Sequence, residues 1–403
     1  MNQSEREFFP VAGVRLGAAA AGIRYQNRND LVVIEMEQGG NCAALFTRNS
    51  FCAAPVVLAR RHLEAARPRY LLINSGNANA GTGAQGMHDA LESCRALAAL
   101  RGCRPEQVLP FSTGVIGEPL PVERLAVALP DALSALSERG WALAATAIMT
   151  TDTRPKLVSR VFEFEGARFT ITGMAKGSGM IRPDMATMLA YIATDLKVDS
   201  ALLQGCLKDA ADLSFNAITV DGDTSTNDAL VLIASGHADC KPLLSREEAL
   251  FSTFSEALTS VCMALARSIV KDGEGATKLV EILVEGATGE GEAREVAYTV
   301  AHSPLVKTAL FASDPNWGRI LAAVGRADLP QLDIDRVELW LGDVCIVRDG
   351  GRAEGYTEAA GQAVMDRDEI LIRVRLGRGD ATARILTCDL SYDYVKINAD
   401  YRS

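Results

Sequence analysis

The sequence predicts an α+β protein: a layered α/β sandwich with mixed sheets as its main domain, followed by a smaller C-terminal α+β domain. Three observations predict it. Short apolar, β-branched runs recur along the first two thirds of the chain, and stretches of helical period stand between and after them. After about residue 285 the pattern changes to strands separated by Gly and Asp turns. The chain has 403 residues, which at about 100–200 residues per domain suggests two or three domains. The expected division is 1–284 for the main domain and 285–403 for the smaller one.

The runs that read as strands are LVVIEM (31–36), YLLIN (70–74), RFTIT (168–172), MLAYIAT (188–194) and ALVLIAS (229–235). The clearest helix spans 246–270. There Leu250, Phe254, Leu258, Val261, Leu265 and Ile269 step by three or four and share one face. Ser245 followed by Glu248 has the spacing of a capping box. Amphipathic stretches at 87–100, 122–137 and 200–214 read the same way. In the C-terminal part, 336–350 and 369–391 look like antiparallel strand pairs, and 301–327 reads as two short helices around Asp314-Pro315.

Composition narrows the function. Apolar residues make up 48% and charged residues 23%, values of a globular protein rather than a disordered, collagenous or coiled-coil one. The net charge of −10 argues against nucleic-acid binding, which needs a basic surface. Nine cysteines with no C-x-x-C pair read as small apolar residues in a reducing cytoplasm, not as a disulfide framework or metal site. The start, MNQSEREFFP, lacks the basic and apolar regions of a signal peptide. No uncharged apolar run approaches the roughly 18 residues needed to cross a bilayer, so no membrane association is expected.

Several motifs fail. Gly81–Gly86 fits G-x-G-x-x-G, but NSGNANA separates it from the preceding strand, and no acidic strand end follows about 20 residues later. Asp221-Gly222-Asp223 lacks the Gly and Glu of a calcium loop, where this chain has Thr226 and Leu232. Walker A is absent. The four histidines, 62, 88, 237 and 302, stand in no catalytic or metal-binding context. No metal is expected, and a general base must come from elsewhere.

One segment supplies such a base. In GMAKGSGMIRPDMATMLAYIATD (173–195), three glycines and a proline precede Ala186-Thr187, and an apolar strand follows. A strained Ala186–Thr187 bond can undergo an N-to-O acyl shift onto the Thr187 hydroxyl. Hydrolysis then frees Thr187 as a new N-terminus, whose α-amine, with an ordinary pKa of about 7.7–8, serves as base for its own hydroxyl. The alternative is a Thr that caps or starts a core strand. Glycine gathers around such segments: 74–86, 112–121, 173–187, 221–228 and 271–278 hold 12 of the 34 glycines in 54 residues.

Eight segments in chain order carry a wider resemblance: NSGNANAGTG (74–83), STGVIGEPLP (112–121), AIMTTDT (147–153), 173–195, NAITVDGDTSTND (216–228), VKDGEGATK (270–278), SDPNWGRI (313–320) and VKINADYRS (395–403). Over essentially its whole length the chain resembles the ornithine acetyltransferase family, the glutamate N-acetyltransferases of arginine biosynthesis. The resemblance implies self-cleavage between Ala186 and Thr187 into chains of 1–186 and 187–403, two of each per assembly. It implies Thr187 as the acetyl-accepting nucleophile, with Thr113 and Gly114 at the oxyanion hole. It implies substrate contacts from Thr150, Lys176, Thr187, Glu274, Asn398 and Ser403, with the C-terminal tail returning to the active site.

The chemistry suits these residue types. Glycine lets a backbone N–H approach a developing oxyanion. A lysine holds the α-carboxylate that N-acetylornithine and glutamate share, and Glu274 or the chain-terminal carboxylate holds the ornithine side-chain ammonium. Asp223 and Asn227 read better as turn-capping residues. The implied reaction is ping-pong, through acetyl-Thr187, with no cofactor; acetyl-CoA enters as a second acetyl donor in part of the family. A self-cleaving aminopeptidase or amidase of the same fold type is the alternative.

Overall fold

The computed structural model describes residues 8–182 and 188–400. Ala186, Thr187 and Ser403 lie outside the described residues. The chain forms two compact units, one from residues up to Asn216 together with Asp223–Ile269, the other from Ala217–Gly222 together with the chain from Val270.

In the first unit, chain order runs β1 (Val14–Ala19), β2 (Leu31–Met36), β3 (Asn41–Phe46), α1 (Ala54–Ala65), β4 (Tyr70–Asn77), α2 (Gly83–Arg101), β5 (Val108–Val115), α3 (Val122–Ser134) and α4 (Trp141–Ala147). Then follow β6 (Lys156–Phe164), β7 (Ala167–Lys176), β8 (Leu189–Thr194), α5 (Ser200–Leu213), β9 (Ala229–Ala234) and α6 (Ala249–Lys271). Two mixed sheets result, ordered β1-β2-β4-β5 and β3-β9-β8-β7-β6. The β4–β5 and β8–β9 pairs are parallel and the other pairs antiparallel.

Strand periodicity decides which side chain enters which layer. On β2, Val32, Ile34 and Met36 face the inter-sheet core with Met174, Tyr191 and Val231 of the other sheet. Their neighbours Leu31 and Val33 pack instead under α2 and α3, against Cys94, Leu97, Leu125 and Leu129. The rings of Phe111 and Tyr191 meet edge to face across the two sheets, 5.3 Å between centroids. The six apolar positions expected on one face of α6 are all buried. Gly173 of β7 gives that helix room: a Cβ there would lie 3.0 Å from Leu265 and 3.3 Å from Val261. α6 is long and apolar enough to cross a membrane by length and composition, but its stripe is spent on this packing. The result is an αββα sandwich. Glu248 takes the N–H of Ser245 at 2.9 Å, while Ser245 Oγ takes that of Glu247 at 3.1 Å, so the expected box closes a turn just before the helix.

The second unit holds β10 (Leu279–Ala287), α7 (Glu290–Ala301), α8 (Pro304–Phe311), α9 (Trp317–Gly325), β11 (Glu338–Leu341), β12 (Val344–Arg348), β13 (Gly351–Arg352), α10 (Glu358–Met365), β14 (Glu369–Arg375), β15 (Ala381–Cys388) and α11 (Tyr392–Asp400). Its sheet order is β13-β12-β11-β14-β10-β15. Two expectations change here. The boundary at 284/285 falls inside β10, an interior strand of this sheet, and the units divide at 269/270. The strands of 369–391 are not a hairpin, because β10 inserts between them, parallel to β14 and antiparallel to β15. The segment 217–222 also joins this unit, with Thr219 N–H donating to the Leu386 carbonyl at 2.8 Å. The two helices around Asp314-Pro315 are α8 and α9.

Candidate active site

In the first unit the two sheets approach one another at the C-terminal ends of β5 and β7. Thr113 and Gly114 lie near the end of β5, and Lys176 is the last residue of β7. Thr150 sits in the loop after α4. Lys176 Nζ donates to Thr150 Oγ1 at 2.8 Å and to Thr113 Oγ1 at 3.2 Å. Three of the expected site residues, from three separate segments, thus meet around one ammonium.

The loop bearing Thr150 is pinned from several sides. Arg28 donates to the Met149 carbonyl, and the hydroxyls of Thr151 and Ser178 lie 2.7 Å apart. Asp152 accepts from the Thr150 N–H at 3.1 Å, from the Gly177 N–H at 2.7 Å and from Lys156 Nζ at 2.6 Å. Both side chains of the Asp152–Lys156 pair are essentially inaccessible. Burial by itself would raise the Asp152 carboxyl, but Lys176, Lys156 and the Gly177 N–H outweigh it and hold it down at about 2. A buried ion pair of this kind persists only when its remaining hydrogen-bonding capacity is filled.

Gly114 has φ +138°, and a Cβ on it would fall 2.2 Å from the Gly76 carbonyl carbon. Glycine is therefore required by the close approach of β4 to β5, quite apart from any oxyanion. Buried amides build this junction. Asn74 donates to the Asn77 carbonyl at 2.8 Å and accepts from Ser112 Oγ at 2.6 Å, and Asn77 Oδ1 accepts the Asn79 N–H at 2.7 Å. NSGNANA is thus a network of side chains that replaces ladder bonds where β4 ends.

Asn227 corrects an expectation. It does not simply cap its own turn; its Nδ2 donates to the carbonyls of Ala78 at 2.6 Å and Ser112 at 2.9 Å. The Ser112 carbonyl belongs to the same planar peptide as the Thr113 N–H, so Asn227 fixes that plane. Beside it, Asp228 is buried, and its Oδ2 has no hydrogen-bond partner among the described residues. Burial pushes its carboxyl well above the usual range, with Ser225 and Lys176 pulling it back.

Glu274 and Asn398 meet in the second unit, where Asn398 Nδ2 donates to Glu274 Oε2 at 2.8 Å. Gly275 beside them has φ +69° and packs directly on the start of α11. Asp389 fixes the same loop by accepting from Thr277 and Lys278 N–H at 2.8 and 2.9 Å. Three histidines are engaged elsewhere: His62 with the Val108 carbonyl, His237 with Glu37 and His302 with Thr219.

Asp152, Lys156, Asn227 and Asp228 are the site residues that sequence reasoning missed or misread. Their one local signal is charge or amide inside segments that are otherwise buried. Asp152 and Lys156 pair locally, but the Gly177 partner of Asp152 and the Ala78 and Ser112 partners of Asn227 lie 25 to 149 residues away, where no local pattern reveals them.

The chain matches the model of the ArgJ family over residues 15–403. It is 59% identical over 402 residues to the arginine biosynthesis bifunctional protein ArgJ of Methylococcus capsulatus, covering 100% of this chain and 98% of that one. To the protein of the same name from Pseudomonas fluorescens it is 56% identical, covering 98% and 97%. Among solved structures, an arginine biosynthesis bifunctional protein from Bacillus halodurans matches with 41% identity and a TM-score of 0.51, covering 53% of this chain and 100% of that one. The protein is therefore an enzyme, an acyltransferase. It belongs to the ArgJ family.

Proposed function

We propose that this enzyme transfers the acetyl group of N-acetylornithine to glutamate through an acetyl-Thr187 intermediate, after cutting itself between Ala186 and Thr187. The observation that carries the reading is the meeting of Lys176 with Thr113 and Thr150. A lysine ammonium flanked by hydroxyls suits the α-carboxylate that donor and acceptor share.

In the first half-reaction the Thr187 hydroxyl attacks the acetyl carbonyl, its proton passing to the freed α-amine of Thr187. Negative charge develops on the carbonyl oxygen, toward Thr113 and Gly114. The tetrahedral intermediate collapses, the proton moves to the leaving nitrogen, and ornithine departs. Glutamate, after losing a proton from its α-ammonium, attacks the acetyl ester, giving N-acetylglutamate and regenerating Thr187. Glu274 and Asn398 contribute contacts to the substrate side chain, with Ser403 completing the set.

The assembly is two copies of each product of the cut. The name of the two relatives, bifunctional protein, supports acetyl-CoA as a second donor. Nine unpaired thiols suit a cytoplasmic place of action. Family membership favours transfer over the amidase alternative.

Denaturing mass analysis of the expressed protein tests the cut: species of 1–186 and 187–403 are expected. A single intact chain in active protein would falsify it. Following N-acetylornithine with and without glutamate tests transfer; rapid release of free acetate in both cases would mark a hydrolase instead.

A further inference from the structure

One carboxylate touches both of the segments that carry the expected carboxylate-binding residues. Asp152 Oδ2 takes the N–H of Thr150 itself, and Oδ1 takes the N–H of Gly177, the residue after Lys176. Gly177 has φ +151°, a backbone state open to glycine that presents this N–H to the carboxylate. The side-chain bond from Lys176 to Thr150 at 2.8 Å is thus framed by two backbone bonds to a single group. Lys156 donates to the same carboxylate at 2.6 Å. The Thr151 and Ser178 hydroxyls also join the loop after α4 to the chain beyond β7, but Asp152 is the bracket that binds the backbone of both Thr150 and Gly177.

We infer that Asp152 is a positioning residue that holds Thr150 and Lys176 as one unit for recognising a substrate α-carboxylate. The inference rests on the proposed function. Asp152's own oxygens are occupied by protein donors, Thr150 N–H, Gly177 N–H and Lys156 Nζ.

An asparagine at 152 has one acceptor oxygen in place of two. It keeps either the Gly177 or the Thr150 N–H and presents an amide N–H to the other, so the bracket opens. Because Asp152→Asn alone would leave Lys156 buried without its carboxylate, the informative variant is Asp152→Asn with Lys156→Met, which removes the pair as a pair. The readout is the binding of ornithine against that of putrescine, which is ornithine without its carboxylate, each measured by calorimetry on the whole enzyme. Ornithine is expected to weaken about tenfold or more, the worth of one charge-assisted hydrogen bond. Putrescine is expected to change by less than about twofold.

Equal weakening of both ligands in a variant that unfolds cooperatively would show a general structural role and overturn the inference. So would unchanged ornithine binding. If the double variant fails to fold, Lys176→Met in place of it provides the second arm: its ornithine loss must match in being confined to the carboxylate, or the unit does not exist. A wild-type enzyme that binds ornithine but transfers no acetyl group would sink the proposed reaction while leaving this recognition unit to stand or fall on the two ligands.

Discussion

Lys176 Nζ lies 2.8 Å from Thr150 Oγ1, a hydrogen bond that joins the end of β7 to a loop 26 residues earlier. If this ammonium receives the shared α-carboxylate, Lys176→Met should raise KM for both N-acetylornithine and glutamate. A charged hydrogen bond is worth about 1.5–3 kcal/mol, or roughly 10- to 150-fold. Two-substrate steady-state kinetics measures it, and a loss confined to one substrate would refute a common carboxylate site.

Thr187 supplies both the cleavage nucleophile and the acetyl acceptor in the proposed reaction. Thr187→Ala should therefore stay a single 43.0 kDa chain with no acetyl transfer. Incubation with N-acetylornithine should add an acetyl group's mass to the 187–403 product of the wild type and nothing to the variant. Substantial transfer by the variant would end the nucleophile assignment.

Asn227 ties the Ser112 and Ala78 carbonyls together at 2.9 and 2.6 Å. Asn227→Ala leaves two buried carbonyls without that donor, at a cost of about 1–3 kcal/mol of stability. Because the Ser112 carbonyl shares its peptide with Thr113, kcat should fall more than KM rises. Chemical denaturation and initial rates separate the two effects; a variant with normal kcat would remove Asn227 from the oxyanion side.

Gly114 and Gly291 form a matched pair of tests. Gly114→Ala puts a Cβ 2.2 Å from the Gly76 backbone at φ +138°, and it should cost more than about 3 kcal/mol or prevent soluble expression. Gly291 lies in the first turn of α7 with nothing within 4 Å of a Cβ, so Gly291→Ala should stabilise by up to about 1 kcal/mol. Thermal unfolding of both variants decides.

The two buried aspartates give opposite pH signatures. Asp152 is held at about 2 in the folded state, below its ordinary 3.8. Its stabilisation is present above about pH 4 and disappears as pH falls from there toward 2. Asp228 is raised well above 3.8, so it favours the fold at low pH, and that contribution is lost as pH rises from about 4 through its folded value. Asp228→Asn should flatten the pH dependence of unfolding above pH 4, measured by denaturant midpoints across the range. An unchanged profile would mean that Asp228 titrates normally.

In the first unit the strands readable in the sequence are β2, β4, β7, β8 and β9, and each is an interior strand of its sheet. β1, β3, β5 and β6, which local pattern left unread, are the four edges. Interior strands are covered on both faces and read as unbroken apolar runs. Edge strands tolerate residues that blur the pattern: Pro110 in β5, Gly17 in β1, Asn41 and two alanines in β3.

The sequence by itself determined the α+β class, the helix faces, the interior strands and, through eight motifs, the family and the residues expected to act. These depend on local period or on residue identity, both of which are written along the chain. Only the tertiary structure decided that β10 separates β14 from β15, and that 217–222 joins the second unit. It alone decided that Asp152 brackets Thr150 and Lys176, and that Asn227 holds the peptide before Thr113. Those are pairings between segments far apart in the chain, selected by which backbone groups and charges must be satisfied once water is excluded.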